Sequence, residues 1–196
     1  MPRPLREIHT NYCYHVLNRA NRRAEVFHDA SDYGAFVALM AKAQEHECLM
    51  PNHFHLVVRP ARANSISRWI HWLCTTHVRH YHAKYETSGR IWQGPYKACL
   101  VQTDRHLLTV MRYVERNALE ARIVRRAEDW RWGSLRWRIG ASPLALTAAP
   151  VDLPSYWTDH VNQPQTAAEL EAVRECVNKQ QPFGEPVWIE EMSRAG

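Results

Sequence analysis

The six residues His53-Phe54-His55-Leu56-Val57-Val58 lie between two chain breakers, Pro51-Asn52 and Pro60, and constrain the chain more than any other feature. A short β-forming run bounded in this way reads as a strand. Side chains alternate along a strand with period 2, so His53 and His55 share one face while Phe54 turns toward a core on the other. Two imidazoles on one face can address a single ion. The bare pattern is weak, because 12 histidines in 196 residues yield about one H-x-H by chance. The chain holds a second, His80-Tyr81-His82, which serves as an internal control. It falls in a helical pattern, where positions i and i+2 diverge and cannot share an ion.

Other elements are arranged around this strand. Residues 8–18 are rich in β-formers and read as a first strand, followed by a polar loop at Asn18–Arg23. Ser31 is the expected N-cap of a helix to about His46, with Phe36, Leu39, Met40 and Ala43 at i, i+3, i+4 and i+7. Ser65 heads a long helix to about Glu86, lined by Ile66, Trp69, Ile70, Leu73 and His77. Ile91–Val101 reads as a strand, with Pro95 marking an edge or a bulge. Thr103 or Asp104 caps a helix through about Asn117 or beyond. The order implies an α+β fold, an antiparallel sheet with helices on one face. Past Trp137 the pattern weakens. Residues 1–138 are expected to form the functional domain, and 139–196 a Pro/Ala-rich linker and an irregular tail with one short helix at 166–179.

Charge narrows the partner. The net charge of +5 hides an asymmetry: 8 acidic and 3 basic residues from Asp152 onward, against 12 acidic and 22 basic before it. A basic body favours a polyanion, and nucleic acid is the usual one. The acidic tail is either a solvated appendage or lies across the basic surface, where it would compete with that partner; on that view its removal strengthens binding. The five cysteines are scattered and form no C-x-x-C pair, which reads as reduced thiols in a cytoplasmic protein. No apolar run reaches 18 residues, so no membrane span is expected, and Met1–Arg6 has no secretory character.

A third candidate group is Tyr113 with Asn117, neighbours on one helix face at i and i+4. An amide oxygen one turn from a phenol can complete a metal site while the phenol attacks. Spacing alone ranks Tyr113 only slightly above Tyr81 or Tyr85, since a tyrosine on an amphipathic helix is usually a packing residue.

The stretch Leu49–Val58, LMPNHFHLVV, resembles the HUH motif of single-tyrosine transposases, in the REP-associated tyrosine transposase branch. The similarity continues in Met1–Arg6, Asn18–Arg23, Ile91-Trp92-Gln93-Gly94, Arg112–Asn117, Trp130–Trp137 and Pro182-Phe183-Gly184, in the family's order. The resemblance implies a ferredoxin-like sheet with both histidines on a central strand. His53, His55 and Asn117 would hold Mg²⁺ or Mn²⁺ against the scissile phosphate. Tyr113 would attack phosphorus to give a 5′-phosphotyrosine and a free 3′-hydroxyl. The substrate implied is single-stranded DNA beside a hairpin repeat. Arg19, Arg22, Arg23 and Lys97 are the candidate phosphate contacts. Trp69, Trp72 and Trp92 are candidates for base stacking, although a tryptophan at helical spacing more often belongs to the core. The pattern suits a monomer and a homodimer alike.

Three positions depart from the family. The segment between the first helix and the motif is short, with only about His46–Met50 left for an edge strand. Ala118 replaces the usual proline after Asn117, which lets the helix run on, and Glu120-Ala121-Arg122 replaces an Arg-Ala-Gly pattern. Pro95 stands where an arginine is common. Two other readings therefore stand beside the nicking enzyme: a hairpin-DNA binding protein of the same descent that cuts weakly or not at all, and a hydrolase that uses the histidines without a covalent tyrosine.

Overall fold

The computed structural model describes residues 10, 12–41, 46–62, 65–140, 146 and 148–194. Four strands, β1 (Cys13–Arg19), β2 (His46–Met50), β3 (His53–Val58) and β4 (Lys97–Val101), form one sheet. Their order is β2-β3-β1-β4, and every neighbouring pair is antiparallel. With α1 (Ala30–Met40) between β1 and β2, and α2 (Ser65–Tyr85) between β3 and β4, this is the ferredoxin-like arrangement. β3 carries the two histidines beside β1, as the resemblance implied.

Strand alternation sorts the side chains into two cores. Tyr14, Val16, Leu49, Phe54, Leu56, Val58, Ala98 and Leu100 pack with Phe36 and Met40 of α1 and Ile66, Ile70 and Leu73 of α2. The opposite parity, Cys13, Cys48, Met50, Val57, Cys99 and Val101, packs beneath α3 (Arg105–Glu120) through Leu107, Val110, Met111, Val114 and Ala118. Helices on one face therefore describes only α1 and α2. The second face is covered too, because α3 presents a strongly amphipathic stripe that must be buried.

The chain past residue 150 completes that second layer. It was expected to hold one short helix in an irregular tail. Instead α5 (Trp157–Asn162), α6 (Ala167–Lys179) and α7 (Pro186–Arg194) follow the short α4 (Ser134–Ile139). Trp157, Val161, Val173, Cys176 and Val177 are buried in the same core as α3. Both sheet edges are covered, which removes the open ladder groups an edge strand presents. Trp132 bonds Leu49 on the β2 side (Leu49 N to Trp132 O, 3.0 Å), and Phe183 bonds β4 (Phe183 N to Leu100 O, 2.8 Å).

Several local readings change. β1 starts at Cys13, while residues 8, 9 and 11 of the expected strand lie outside the described residues. α1 is capped by Asp29, not Ser31: the Asp29 carboxylate accepts from Ser31 N and Asp32 N, and Asp32 reciprocates in a capping box. That helix is described only to Met40, with residues 42–45 of the expectation outside the described set. The short segment before the histidines is a real edge strand, β2, so nothing in the sheet is lost. β4 keeps only Lys97–Val101 of the expected strand, because Pro95 cannot donate to the ladder. α3 is capped by Asp104 and runs on past Asn117, as Ala118 allows. Trp92 is core, edge-on to Phe54 at 5.3 Å, and Trp69 and Trp72 pack partly buried on the same core, so none of the three is laid out as a stacking platform.

Cys99 and Cys176 form a disulfide between β4 and α6, across 77 residues of sequence, with Cα atoms 6.1 Å apart. This corrects the expectation of reduced thiols for that pair; Cys13, Cys48 and Cys74 are outside the disulfide. No spacing pattern announces it, since α6 docking alone brings the two within bridging distance. No helix of the described residues is long and apolar enough to cross a membrane.

Candidate active site

His53 and His55 stand on the α3 face of β3, their ring centroids 5.0 Å apart and nearly perpendicular. Phe54 between them is fully buried on the opposite side. Across the gap, α3 runs over the sheet so that Tyr113 and Asn117, one turn apart, face the histidines. The Tyr113 ring meets His55 edge-on at 5.5 Å. The Asn117 amide Nδ2 lies 3.3 Å from His55 Nε2. The control motif behaves as expected: His80 and His82 sit on α2, where His82 bonds Thr87 Oγ1 and the Gly89 carbonyl.

Hydrogen bonds decide where the protons of these imidazoles sit. Asn52 Nδ2 donates to the Arg23 carbonyl at 3.0 Å, which orients the amide. Its Oδ1 is then left to accept from His53 Nδ1 at 2.6 Å. The proton of His53 is thus on Nδ1 and its Nε2 carries a lone pair. At His55, Nε2 accepts from Asn117, so Nδ1–H donates to His15 Nε2 at 2.9 Å. His15 then carries its proton on Nδ1, which is buried with no partner. Burial holds all three rings neutral: it takes His15 down to about 3 and His53 to about 4, with Arg19 adding to the shift at His53. His55 is pushed well below the ordinary histidine range, first by burial and then by His53 and His15.

Two neutral imidazoles whose Nε2 atoms carry the lone pairs, with outer partners on Nδ1, are the usual state of metal-ligating histidines. Turning the Asn117 amide over exchanges Nδ2 for Oδ1 and makes a third ligand. Among the described residues no three His, Cys, Asp or Glu side chains converge on one point, so the donor set is two nitrogens and an amide oxygen. That set fits a divalent ion, and its imidazoles suit Mn²⁺ better than Mg²⁺.

Two clefts open beside Tyr113. Both are lined by Arg19, His55, Tyr113 and Arg174; one extends to His53 and Asn117, the other to Gln93 and Lys97. Of the four basic residues singled out from sequence, Arg19 and Lys97 therefore border the site. Arg22 and Arg23 are exposed in a 3-10 turn with left-handed φ values of 56° and 57°, and line neither cleft. Lys97 is already bonded to Asn178 Oδ1 at 2.8 Å.

The flanking arginines of the tyrosine helix are structural. Arg112 donates to the carbonyls of Gln163 and Pro164, and Arg116 to those of Val161 and Asn162. Together they lash the α5–α6 connection to α3. Between them Glu115 is wholly buried, accepting from Ser134, Trp157 and Arg138; burial pushes its carboxyl up to about 7 against those donors. Sequence reasoning missed Asn52, His15 and Arg174. His15 carried one signal, strand parity on β1; Asn52 and Arg174 carried none.

Comparisons with known proteins agree with this arrangement. A family model described as transposase, IS200-like, matches residues 8–117. Among solved structures, a REP-associated tyrosine transposase bound to a REP hairpin superposes with a TM-score of 0.54 at 14% identity, over 78% of this chain and 95% of that one. The likeness at that identity is one of fold. No curated protein sequence matches. The match from the first strand to Asn117 spans more than half of the chain, and the chain belongs to the IS200-like transposases.

Proposed function

We propose that this transposase nicks and rejoins single-stranded DNA next to hairpin repeats through a covalent tyrosine intermediate. The observation that carries the reading is the placement of Tyr113 edge-on to His55, with Asn117 one turn along the same helix. His53, His55 and Asn117 would hold Mg²⁺ or Mn²⁺, which supplies Lewis-acid polarisation of a non-bridging phosphate oxygen. The Tyr113 oxygen forms the new bond to phosphorus, and the bond to the 3′-oxygen breaks. The phenolic proton is lost to solvent and the departing 3′-oxygen takes one up. The product is a 5′-phosphotyrosine, which keeps the phosphodiester energy for rejoining. Arg19 and Lys97 bring positive charge to the strand's path. The hairpin is the ligand of the structurally similar REP-associated transposase, and a single strand presents the accessible phosphate that tyrosine attack requires.

The test is to incubate a single-stranded hairpin oligonucleotide with the protein and Mn²⁺ and to look for a denaturant-stable protein–DNA adduct. The wild type is expected to form it, and Tyr113→Phe to lose it while still binding DNA. An adduct that persists in Tyr113→Phe excludes this nucleophile. Binding without any adduct supports the DNA-binding protein that does not cut, and cleavage without an adduct supports the hydrolase.

A further inference from the structure

One wall of the site is built by α6, the helix of the acidic segment, which packs beside α3 and against β4. Its residues Leu170, Arg174, Val177 and Asn178, at i, i+4, i+7 and i+8, lie on one helical stripe, and all four line the clefts beside Tyr113. The same helix is anchored from beneath by buried Val173, Cys176 and Val177 and by the disulfide to β4. Arg174 is thereby delivered to the place where the two clefts meet.

The charges around it have a consistent pattern. Arg112 and Arg116 are engaged with backbone carbonyls, and Lys97 with Asn178. Among α6's carboxylates, Glu169 closes the helix's own capping box and Glu175 pairs with Lys179. Arg174 makes no hydrogen bond or ion pair among the described residues. Arg19, which faces the same two clefts from β1, has its Nε buried without a partner. Two guanidinium groups thus border both clefts beside Tyr113, one from the sheet and one from α6, while the carboxylate lining the first cleft, Glu120, pairs with Arg116 at 3.6 Å. Planar guanidinium forks match phosphate oxygens bidentately.

We propose that Arg174 and Arg19 form a two-arginine clamp on the phosphodiester that Tyr113 attacks, so that the acidic C-terminal segment contributes a substrate-contacting residue. This rests on the tyrosine reading above. Arg174 presents its fork to the non-bridging oxygens and holds phosphorus in line with the phenol. The acidic composition of its segment concealed it, because the segment's net charge and the one cation on its inner stripe have opposite signs.

The experiment compares wild type, Arg174→Gln, Arg174→Lys and, as an exposed control outside both clefts, Arg122→Gln. Two quantities are read on a single-stranded hairpin oligonucleotide with Mn²⁺: the rate of adduct formation, and the slope of log binding constant against log salt. Arg174→Gln is expected to slow adduct formation tenfold or more and to make the slope shallower by about 0.7, the increment for one single-strand phosphate contact. Arg174→Lys should restore the slope but not the rate, since a point charge replaces the contact without its fork. Arg122→Gln should change neither, and all variants should melt with the wild type because Arg174 is exposed. A wild-type rate in Arg174→Gln, or a faster one, overturns the clamp whatever the slope does. If the wild type forms no adduct, the tyrosine reading fails separately and the slope decides: an unchanged slope in Arg174→Gln then removes the phosphate contact as well.

Discussion

At His53 a single side chain, Asn52, settles which nitrogen is available to a ligand. The Asn52 amide is fixed by the Arg23 carbonyl at 3.0 Å, and its Oδ1 accepts a hydrogen bond from His53 Nδ1 at 2.6 Å. Replacing it removes the acceptor and frees both the tautomer and the ring angle. Loss of such an outer partner typically costs about 10- to 100-fold in metal affinity. Asn52→Ala is therefore expected to weaken Mn²⁺ binding by about tenfold in a calorimetric titration. The fold should survive, since no core contact is lost. Affinity equal to the wild type's would show that the ring needs no such orientation. This residue was visible in the sequence only as turn punctuation beside Pro51. Its hydrogen bond to the neighbouring histidine depends on how the chain enters β3, which the polar dipeptide does not announce.

At the scale of the element, α6 is held by three different forces. A Thr166–Glu169 capping box starts it, Val173 and Val177 bury its inner face, and Cys176 ties it to Cys99 of β4. A cross-link over a loop of that length stabilises mainly by restricting the unfolded chain, typically by about 2–4 kcal/mol. Cys176→Ser should lower the melting temperature under non-reducing conditions, and adding a dithiol should bring the wild type down toward the variant. A wild type that melts alike with and without reductant would show that the bond adds nothing. The helix itself was legible as a short helix at 166–179, and the structure starts it with a capping box. Its partner was not, since nothing local tells which sheet edge a helix will meet.

For the whole molecule, burial of neutral histidines sets the response to acid. His15 is held at about 3 and His53 and His77 at about 4, while His55 is well below its usual range; burial is the first cause in each. Their unfolded values lie near 6.5, so as pH falls the unfolded chain takes up protons before the folded one. The acid cost they impose is absent above about pH 6.5 and grows as pH drops through the window between about 6.5 and 3. Glu115, raised to about 7, works in the opposite direction, one group against four. The melting temperature should fall steadily from pH 6.5 to 4.5. His77 lies away from the site among Phe27, Phe36 and Trp92, so His77→Phe should flatten part of that decline. A melting temperature independent of pH over this range would contradict the assignment.

The same scale revises what removal of the acidic segment does. Charge alone suggested that a chain ending at Pro150 would bind DNA more tightly. The structure buries Trp157, Val161, Val173 and Val177 against α3, at 0–5% exposure. Truncation would uncover that core and strip Arg174 from the site. The shortened chain is expected to lose a cooperative melting transition, and a truncated protein that still melts sharply and binds DNA more strongly would restore the charge argument.

What the sequence determined by itself was periodic and local: a strand that puts His53 and His55 on one side, a helix that stacks Tyr113 above Asn117, and the rejection of His80 and His82. Alternation by two and repetition by 3.6 are properties of the backbone, so neighbours along an element can be read from spacing. Only the tertiary structure decided that α3 lies on the histidine face, that His15 and Asn52 set the protons, and that α6 closes the site with Arg174. Those pairings join residues 40 to 155 positions apart, from His15 with His55 to Arg19 with Arg174, or depend on loop entry angles. They follow from which apolar faces must be buried together, a condition of the whole chain that no single stretch of it contains.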